Sequence, residues 1–294
     1  MTASRAARLL RLPALVPFRP LRALLYRFVS WRLSPRVQAE TDVPIGVGTK
    51  LRVRTDDLVG RVIAISREWE PNVTAALTRA LAPGDVFLDV GAHIGYYTVL
   101  ASRVVGSRGH VYAFEPSPDT YPRLRANVAL NGLRNVTTAQ LAVGEEESRA
   151  VLYVGAPYNT GLTTLDPVLA AKSTTPAREA IVDVGPVTTV VPPRDLARVR
   201  VIKIDVEWHE LEVLRSLAPV FDLGHELSVV VEFTPRRSAP DAPSQFAALC
   251  ETHGFTVYEV PNGYSLEKMF PARLAGPRPI EELPTKRCDL LLLR

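Results

Sequence analysis

One stretch constrains the fold more than any other: Asp85-Val-Phe-Leu-Asp-Val-Gly-Ala-His-Ile-Gly-Tyr-Tyr-Thr-Val-Leu100. A short apolar run leads into Asp89, the glycines Gly91 and Gly95 follow, and a helical pattern then begins. Strand, glycine turn and helix in this order set the unpaired N–H groups of a helix N-terminus beside backbone that a ligand can approach closely. The next apolar run, Val111 to Phe114, ends in Glu115, about 20 residues beyond the turn, where an acid can accept hydrogen bonds from a ribose diol. The expectation is a nucleotide-type cofactor site on an α/β sheet.

The glycine spacing helps decide which cofactor. A dinucleotide fingerprint reads G-x-G-x-x-G, but the positions after Gly91 hold His93 and Tyr96, so a pyrophosphate loses its close backbone approach. The pattern D-x-G-x-x-x-G resembles motif I of the class I S-adenosylmethionine (SAM) methyltransferases, whose cofactor carries a ribose and an adenine but no phosphate.

A second block narrows the resemblance. Val201-Ile-Lys-Ile-Asp-Val-Glu-Trp-His-Glu-Leu-Glu-Val-Leu214 resembles the I-K-I-D-V-E-G-H-E signature of FkbM-type methyltransferases. Phe114-Glu-Pro-Ser117, Asn127 to Asn131, Asn159-Thr-Gly161 and Val230-Val-Glu-Phe233 resemble that family too. The likeness spans residues 40 to 294, with one departure: Trp208 stands where the family usually has glycine. The resemblance implies a Rossmann-like class I methyltransferase sheet, mainly parallel with an antiparallel last strand and helices on both faces. It also implies SAM as cofactor and a hydroxyl acceptor on a sugar, glycolipid or polyketide-like metabolite.

The rest of the chain reads as alternating β and α, which predicts a mainly parallel sheet covered on both faces. Expected strands are Val86–Val90, Val111–Phe114, Val136–Leu141, Val199–Ile204, Leu227–Phe233, Thr256–Val260 and Cys288–Leu293. Ahead of them, Lys50–Arg54 and Gly60–Ile65 read as short β segments, and Pro71 opens a helix with a Val73, Ala76, Leu77, Ala80, Leu81 stripe. Residues 145–198 interrupt the alternation as an insertion, expected on the substrate side.

Charge separates the chain into two parts. Residues 1–39 hold eight arginines and no acid, so the body is acidic or near neutral although the whole chain is +4. A basic nucleic-acid groove is not suggested, and no Asn-Pro-Pro-Tyr or Asp-Pro-Pro-Tyr segment follows the fourth strand of the core sheet. Residues 1–40 form a basic appendage. Its Leu21, Leu24, Leu25 and Phe28 fall at helical spacing opposite arginines, as in an interfacial helix on anionic lipid. A stripe packed on the domain or a basic leader fits the same pattern. Cys250 and Cys288 make neither a disulfide framework nor a metal spacing, which points to a reducing, cytoplasmic setting.

In open α/β sheets ligands gather beyond the carboxyl ends of the strands, and Asp89, Glu115, Asp205 and Glu232 all stand near such ends. Gly91, Ala92, His93 and Gly95, with Asp89 orienting the turn, form the expected methionine wall; Glu115 and Pro116 the ribose site; and Ala142 the adenine site. An alcohol acceptor needs a base, and Asp205, Glu207 and His209 crowd one turn, with Glu232 nearby. A divalent metal on these groups is an alternative to direct base catalysis, as is a purely structural role. A non-catalytic SAM-fold module with Trp208 closing the substrate site, and a nicotinamide oxidoreductase, are the other readings of the whole chain.

Overall fold

The computed structural model describes residues 40–294, apart from 47, 173–176, 236–240, 264–268, 270 and 272. The basic appendage expected over 1–40 therefore lies, except for Glu40, outside the described residues. No helix among the described residues is long and apolar enough to cross a membrane.

The described chain opens with an antiparallel hairpin, β1 (Glu40–Ile45) and β2 (Thr49–Arg54). Next come α1 (Leu58–Ser66) and α2 (Pro71–Ala80). The core then alternates through β3 (Val86–Val90), α3 (Tyr96–Val105), β4 (His110–Phe114), α4 (Tyr121–Leu130) and β5 (Val136–Ala139). β6 (Ala142–Val143), β7 (Ser148–Val154), α5 (Pro167–Ala171) and β8 (Arg178–Gly185) follow. The core resumes with β9 (Val199–Ile204), α6 (Glu210–Ser216), β10 (Ser228–Phe233), α7 (Ala242–Thr252) and β11 (Thr256–Val260), and closes with β12 (Arg278–Pro279) and β13 (Cys288–Leu293).

The main sheet runs β12-β11-β13-β10-β9-β3-β4-β5. Pairings from β10 through β9, β3 and β4 to β5 are parallel, and β13 inserts antiparallel between β10 and β11. The expected parallel sheet with an antiparallel last strand is thus present. β6, β8 and β7 form a separate three-stranded sheet from the insertion.

Strand alternation divides the core. Val86, Leu88 and Val90 face one buried cluster, and Phe87 the other, with helices on both sides. β9 repeats the pattern: Ile202 and Ile204 join the first cluster, Val201 the second. The same alternation puts Asp89, Lys203, Glu232 and Asp289 two residues along from Phe87, Val201, Val230 and Leu291, so four neighbouring strands each place a charged residue on the second face.

Two expectations change. Gly60–Ile65 is part of α1 rather than a β segment. Its β-branched residues are buried on nearly every side, and the buried Asp57 carboxylate caps the helix by accepting from Gly60 N at 3.0 Å. The strand expected over Val136–Leu141 is also shorter: β5 ends at Ala139, and after Gln140 and Leu141 the chain passes into β6 of the three-stranded sheet.

The exposed edge of β2 is closed by an unusual device. Asn127 and Asn131 lie one helical turn apart on α4. Asn127 accepts from Arg52 N at 2.6 Å and donates to Arg52 O at 3.2 Å. Asn131 does the same for Lys50, at 2.9 and 2.7 Å. Four helical residues advance about 6 Å, close to the two-residue step of a strand at about 6.7 Å. Two asparagine amides thereby stand in for a neighbouring strand. Asn127 also donates to Ile94 O at 2.8 Å, tying this edge to the glycine turn after β3. Asn127→Ala is expected to cost about 2–4 kcal/mol, since it strands several buried backbone groups; urea denaturation measures it, with Asn131→Ala at the more exposed bonds costing less.

Candidate functional site

Strand order reverses between β3 and β9, and a cavity opens beyond the carboxyl ends of these two strands. The two strand ends are fused. Asp205 N donates to Val90 O at 3.0 Å. A Cβ on Gly91, whose φ is +80°, would stand 1.9 Å from Asp205 O. Only glycine permits this approach. Gly95 has φ +88° and begins α3, and a Cβ there would meet Leu124 Cδ1 at 2.6 Å.

The cavity holds about 1090 Å³ of empty space counting its open mouth. Gly91, Ala92, His93, Glu115, Pro116 and Ala142 line it from the expected cofactor side, and Asp205, Glu207 and His209 from the strand-four turn. Three of the expected site residues stand behind the wall. Asp89 is buried and accepts from the Thr98 hydroxyl on α3, which fixes the turn from below; burial pushes its carboxyl up to about 6. Gly95 packs on Leu124, and Glu232 is covered by Arg287. The insertion supplies Leu152, Thr160, Gly161, Thr163, Thr164 and Leu165, so it forms one wall of the cavity.

Glu115 arrives at the cavity with three hydrogen bonds in place. Oε1 accepts from Ser117 N and the Thr120 hydroxyl, each at 2.9 Å, and Oε2 accepts from His93 N at 2.8 Å. A carboxylate oxygen has two lone pairs, so Oε2 keeps one for a ligand hydroxyl. Burial raises the Glu115 carboxyl and these three bonds work against that.

The strand-four turn is built on a charge the sequence reading passed over. Lys203, 1% exposed, lies in register with Asp89, and its Nζ is 3.0 Å from Asp205 Oδ2. Burial works to lower the Lys203 ammonium, but Asp205, Glu70, Asp289 and Glu232 outweigh it and hold it above the usual lysine range. Burial likewise works to raise Asp205, and Lys203 and Arg287 outweigh it and hold its carboxyl below the usual range. Arg287 Nη2 is shared by Glu207 Oε1, at 3.2 Å, and Glu232 Oε2. One guanidinium nitrogen does not balance both, and burial pushes Glu207 up to about 7 and Glu232 well above its ordinary value. Burial and Glu70 push Asp289 up to about 8, and its Oδ1 has no hydrogen-bond partner among the described residues. Tyr97 and Asn262 close the back of the cluster on Glu70 at 2.8 and 3.0 Å.

Arg287 sits in a loop with no periodicity, and nothing in the sequence marks it. Lys203 has a signal: a charge flanked by Ile202 and Ile204 in a strand that is otherwise apolar apart from Arg200 near its start.

Trp208 adopts φ +73° and Glu207 φ +42°, the left-handed conformation that explains a glycine preference at this turn. The turn is held by Trp208 N donating to Glu210 Oε1 at 2.8 Å and by the Thr164 hydroxyl donating to Glu207 O at 2.7 Å. The indole is not among the residues lining the cavity and lies under the Lys172 ammonium, 4.3 Å away. His110, His225 and His253 have structural partners: the Thr137 hydroxyl, Val199 O and Asp222.

A family model described as the methyltransferase FkbM domain matches residues 89–257. Methyltransferase 1 of Beauveria bassiana is 31% identical over 195 residues, 60% of this chain and 74% of that protein. The 31-O-demethyl-FK506 methyltransferase FkbM of Streptomyces tacrolimicus is 30% identical over 199 residues, 60% of this chain and 75% of that protein. A solved FkbM methyltransferase from Methylobacillus flagellatus superposes with a TM-score of 0.46 at 13% identity, covering 79% of this chain and 52% of that one.

Lys203→Met is expected to destabilise the fold by about 3–5 kcal/mol, the cost of removing one partner of a buried pair. Asp205 is held low in the folded state, so the stability it draws from Lys203 is complete above about pH 5 and fades as pH falls below that. Denaturation midpoints of the two proteins should therefore converge in acid.

Proposed function

The chain belongs to the FkbM methyltransferase family and is a SAM-dependent methyltransferase; on that premise we propose that it moves the methyl group to an alcohol oxygen of a neutral, largely apolar metabolite. The carrying observation is the arrangement at the strand switch point. Two acids, Asp205 beside Lys203 and Glu207 beside Arg287, line one end of a cavity whose other walls are mostly apolar.

These residues fit SAM. An acid-rich end suits a sulfonium cation, which supplies an electrophilic methyl group when bound. Gly91 and Ala92 would flank the methionine portion, the remaining lone pair of Glu115 Oε2 would accept one ribose hydroxyl, and Leu141, Ala142 and Val143 offer an apolar seat for adenine. Asp205, fixed by Lys203, and Glu207, shared with Arg287, would hold the anionic charge that faces the sulfonium. The acceptor would occupy the space bounded by Val59, Trp69, Tyr96 and the insertion residues Leu152 and Leu165. Little there rewards an anionic acceptor. The Streptomyces relative, whose name gives an O-demethylated metabolite as its acceptor, supports transfer to oxygen. Catalysis then consists of alignment, exclusion of water and removal of one proton.

A screen with methyl-labelled SAM tests the reading, using methyl glycosides, macrolactone alcohols, carboxylates and amines as candidate acceptors. Label on the oxygen of an alcohol is expected; label confined to nitrogen, or no labelled alcohol at all, refutes it. Glu115→Gln should weaken SAM binding by about 1–3 kcal/mol, the scale of a charge-assisted hydrogen bond.

Glu207 gives the site a pH dependence. A sulfonium favours the carboxylate, so at pH 6 SAM binding must expel the proton that burial keeps on Glu207, whose carboxyl lies at about 7. Affinity should rise about tenfold from pH 6 to 8, the limit for one proton released at that value. Calorimetry should show this slope for SAM, little slope for the uncharged product, and none for Glu207→Gln.

A further inference from the structure

His93 is placed unlike any other residue of the glycine turn. Its backbone is left-handed, φ +51°, and its N–H is fixed on Glu115. Its ring lines the cavity, and Nε2 is 2.7 Å from the Thr160 hydroxyl of the insertion. That hydroxyl is in turn 2.8 Å from Oδ1 of Asp57, which also accepts from Thr160 N at 3.0 Å. Asp57 is 0% exposed and caps α1. Three segments distant in sequence therefore meet in one line: Asp57, Thr160, His93.

The direction of the hydrogen bonds follows from valence. A carboxylate only accepts, so the single hydroxyl proton of Thr160 points to Asp57. The Thr160 oxygen must then accept from His93, which places the ring proton on Nε2 and leaves the lone pair on Nδ1. Nδ1 has no hydrogen-bond partner among the described residues.

We propose that His93 is the general base of methyl transfer, its Nδ1 taking the proton of the acceptor hydroxyl, with Thr160 and Asp57 as positioning residues that hold the ring in the required tautomer. The proposal rests on the O-methylation reading. The acceptor O–H bond breaks with its electron pair left on oxygen. An oxygen pair forms the new O–CH₃ bond while the C–S pair returns to sulfur, and the proton ends on Nδ1. The positive charge of the sulfonium thus reappears on the imidazolium, whose Nε2–H faces Thr160 and, through it, Asp57; solvent removes the proton before the next turnover. Asp205 is tied to Lys203 and held low, and suits a fixed anion better than a base.

The groups facing His93 are Asp57 from the cap of α1, Asp205 after β9 and Arg123 on α4, with Glu115 at its backbone. Burial lowers the ring's value and Arg123 adds to that, while Asp57 and Asp205 oppose it. The ring is therefore neutral, and able to accept a proton, at neutral pH.

Two measurements test the proposal. Nitrogen NMR of the full chain, labelled at its five histidines, with no ligand and with His93→Gln to assign the signals, should show His93 protonated at Nε2 and bare at Nδ1. Thr160→Val should relax it to the tautomer mixture of free imidazole, and Thr160→Ser, which keeps the hydroxyl, should restore the bias. A wild-type ring protonated at Nδ1 overturns the proposal. In single turnover with saturating SAM and the alcohol found in the screen, His93→Gln should slow transfer by about 10²–10⁴ with SAM affinity within about threefold. Thr160→Val should lower the rate without raising the KM for SAM, and Thr160→Ser should rescue it. Methylation that survives His93→Gln at the wild-type rate refutes the base alone. A wild-type protein that methylates no alcohol in the screen refutes the O-methylation reading, and this proposal with it.

Discussion

A lysine buried in the face of a β-sheet organises this molecule. An ammonium taken out of water without partners costs several kcal/mol, so Lys203 must be met by acids wherever its strand lies. The partners come from different elements: Asp205 from the turn beyond β9, Glu232 from β10, Asp289 from β13 and Glu70 from the start of α2. Pairing β9 with β3 on one side and β10 on the other is what brings these acids within reach. The same cluster sets Asp205 and Glu207 on the cavity wall, and a cationic cofactor is what carboxyls there suit. Stability and chemistry here draw on one set of groups.

The second constraint is steric. Backbone contact between Gly91 and Asp205 makes the cofactor turn and the strand-four turn a single rigid seam. The insertion is attached differently. It meets the seam through Thr160 on Asp57 and His93, through Thr164 on Glu207 O, and through Tyr158 O on Leu58 N. Val187 and Val191 of the insertion are packed into the main core, whereas Thr160 and Thr164 at the cavity are held by individual hydrogen bonds, so the wall around those threonines is the part of the insertion best able to yield to an acceptor's shape.

The sequence made the scaffold legible because the scaffold is written locally. β3, β9 and β11 appear where apolar runs end in turn residues, and Gly91, Glu115 and Asp205 appear at strand ends. α1 was misread because its β-branched residues favour a strand, and only burial on all sides makes them helical. The early end of β5 is equally hidden: nothing local at Gln140 and Leu141 announces that the chain leaves one sheet for another. Within the site, Arg287, Asp289 and Asp57 carry no local pattern. Each acquires its role from a partner far away in the chain, Arg287 lying 80 residues from Glu207 and Asp57 103 from Thr160. Asp89 and Glu232 stand near strand ends and Gly95 in the glycine motif, but packing turns all three behind the cavity wall.

The place of β13 in the sheet has a consequence for the order of assembly. This strand lies between β10 and β11, which precede it in the chain, so β11 reaches the sheet only through a strand made after it. Until β13 docks, β10 presents a bare edge and Lys203 lacks Asp289. A chain still emerging from synthesis would therefore hold the Lys203 ammonium with three of its four acids beside an unpaired, apolar strand, a state prone to association with other edges. Filling one gap in the sheet completes the hydrogen-bond ladder and the charge cluster together, so the final strand acts as a latch that commits the whole domain at once.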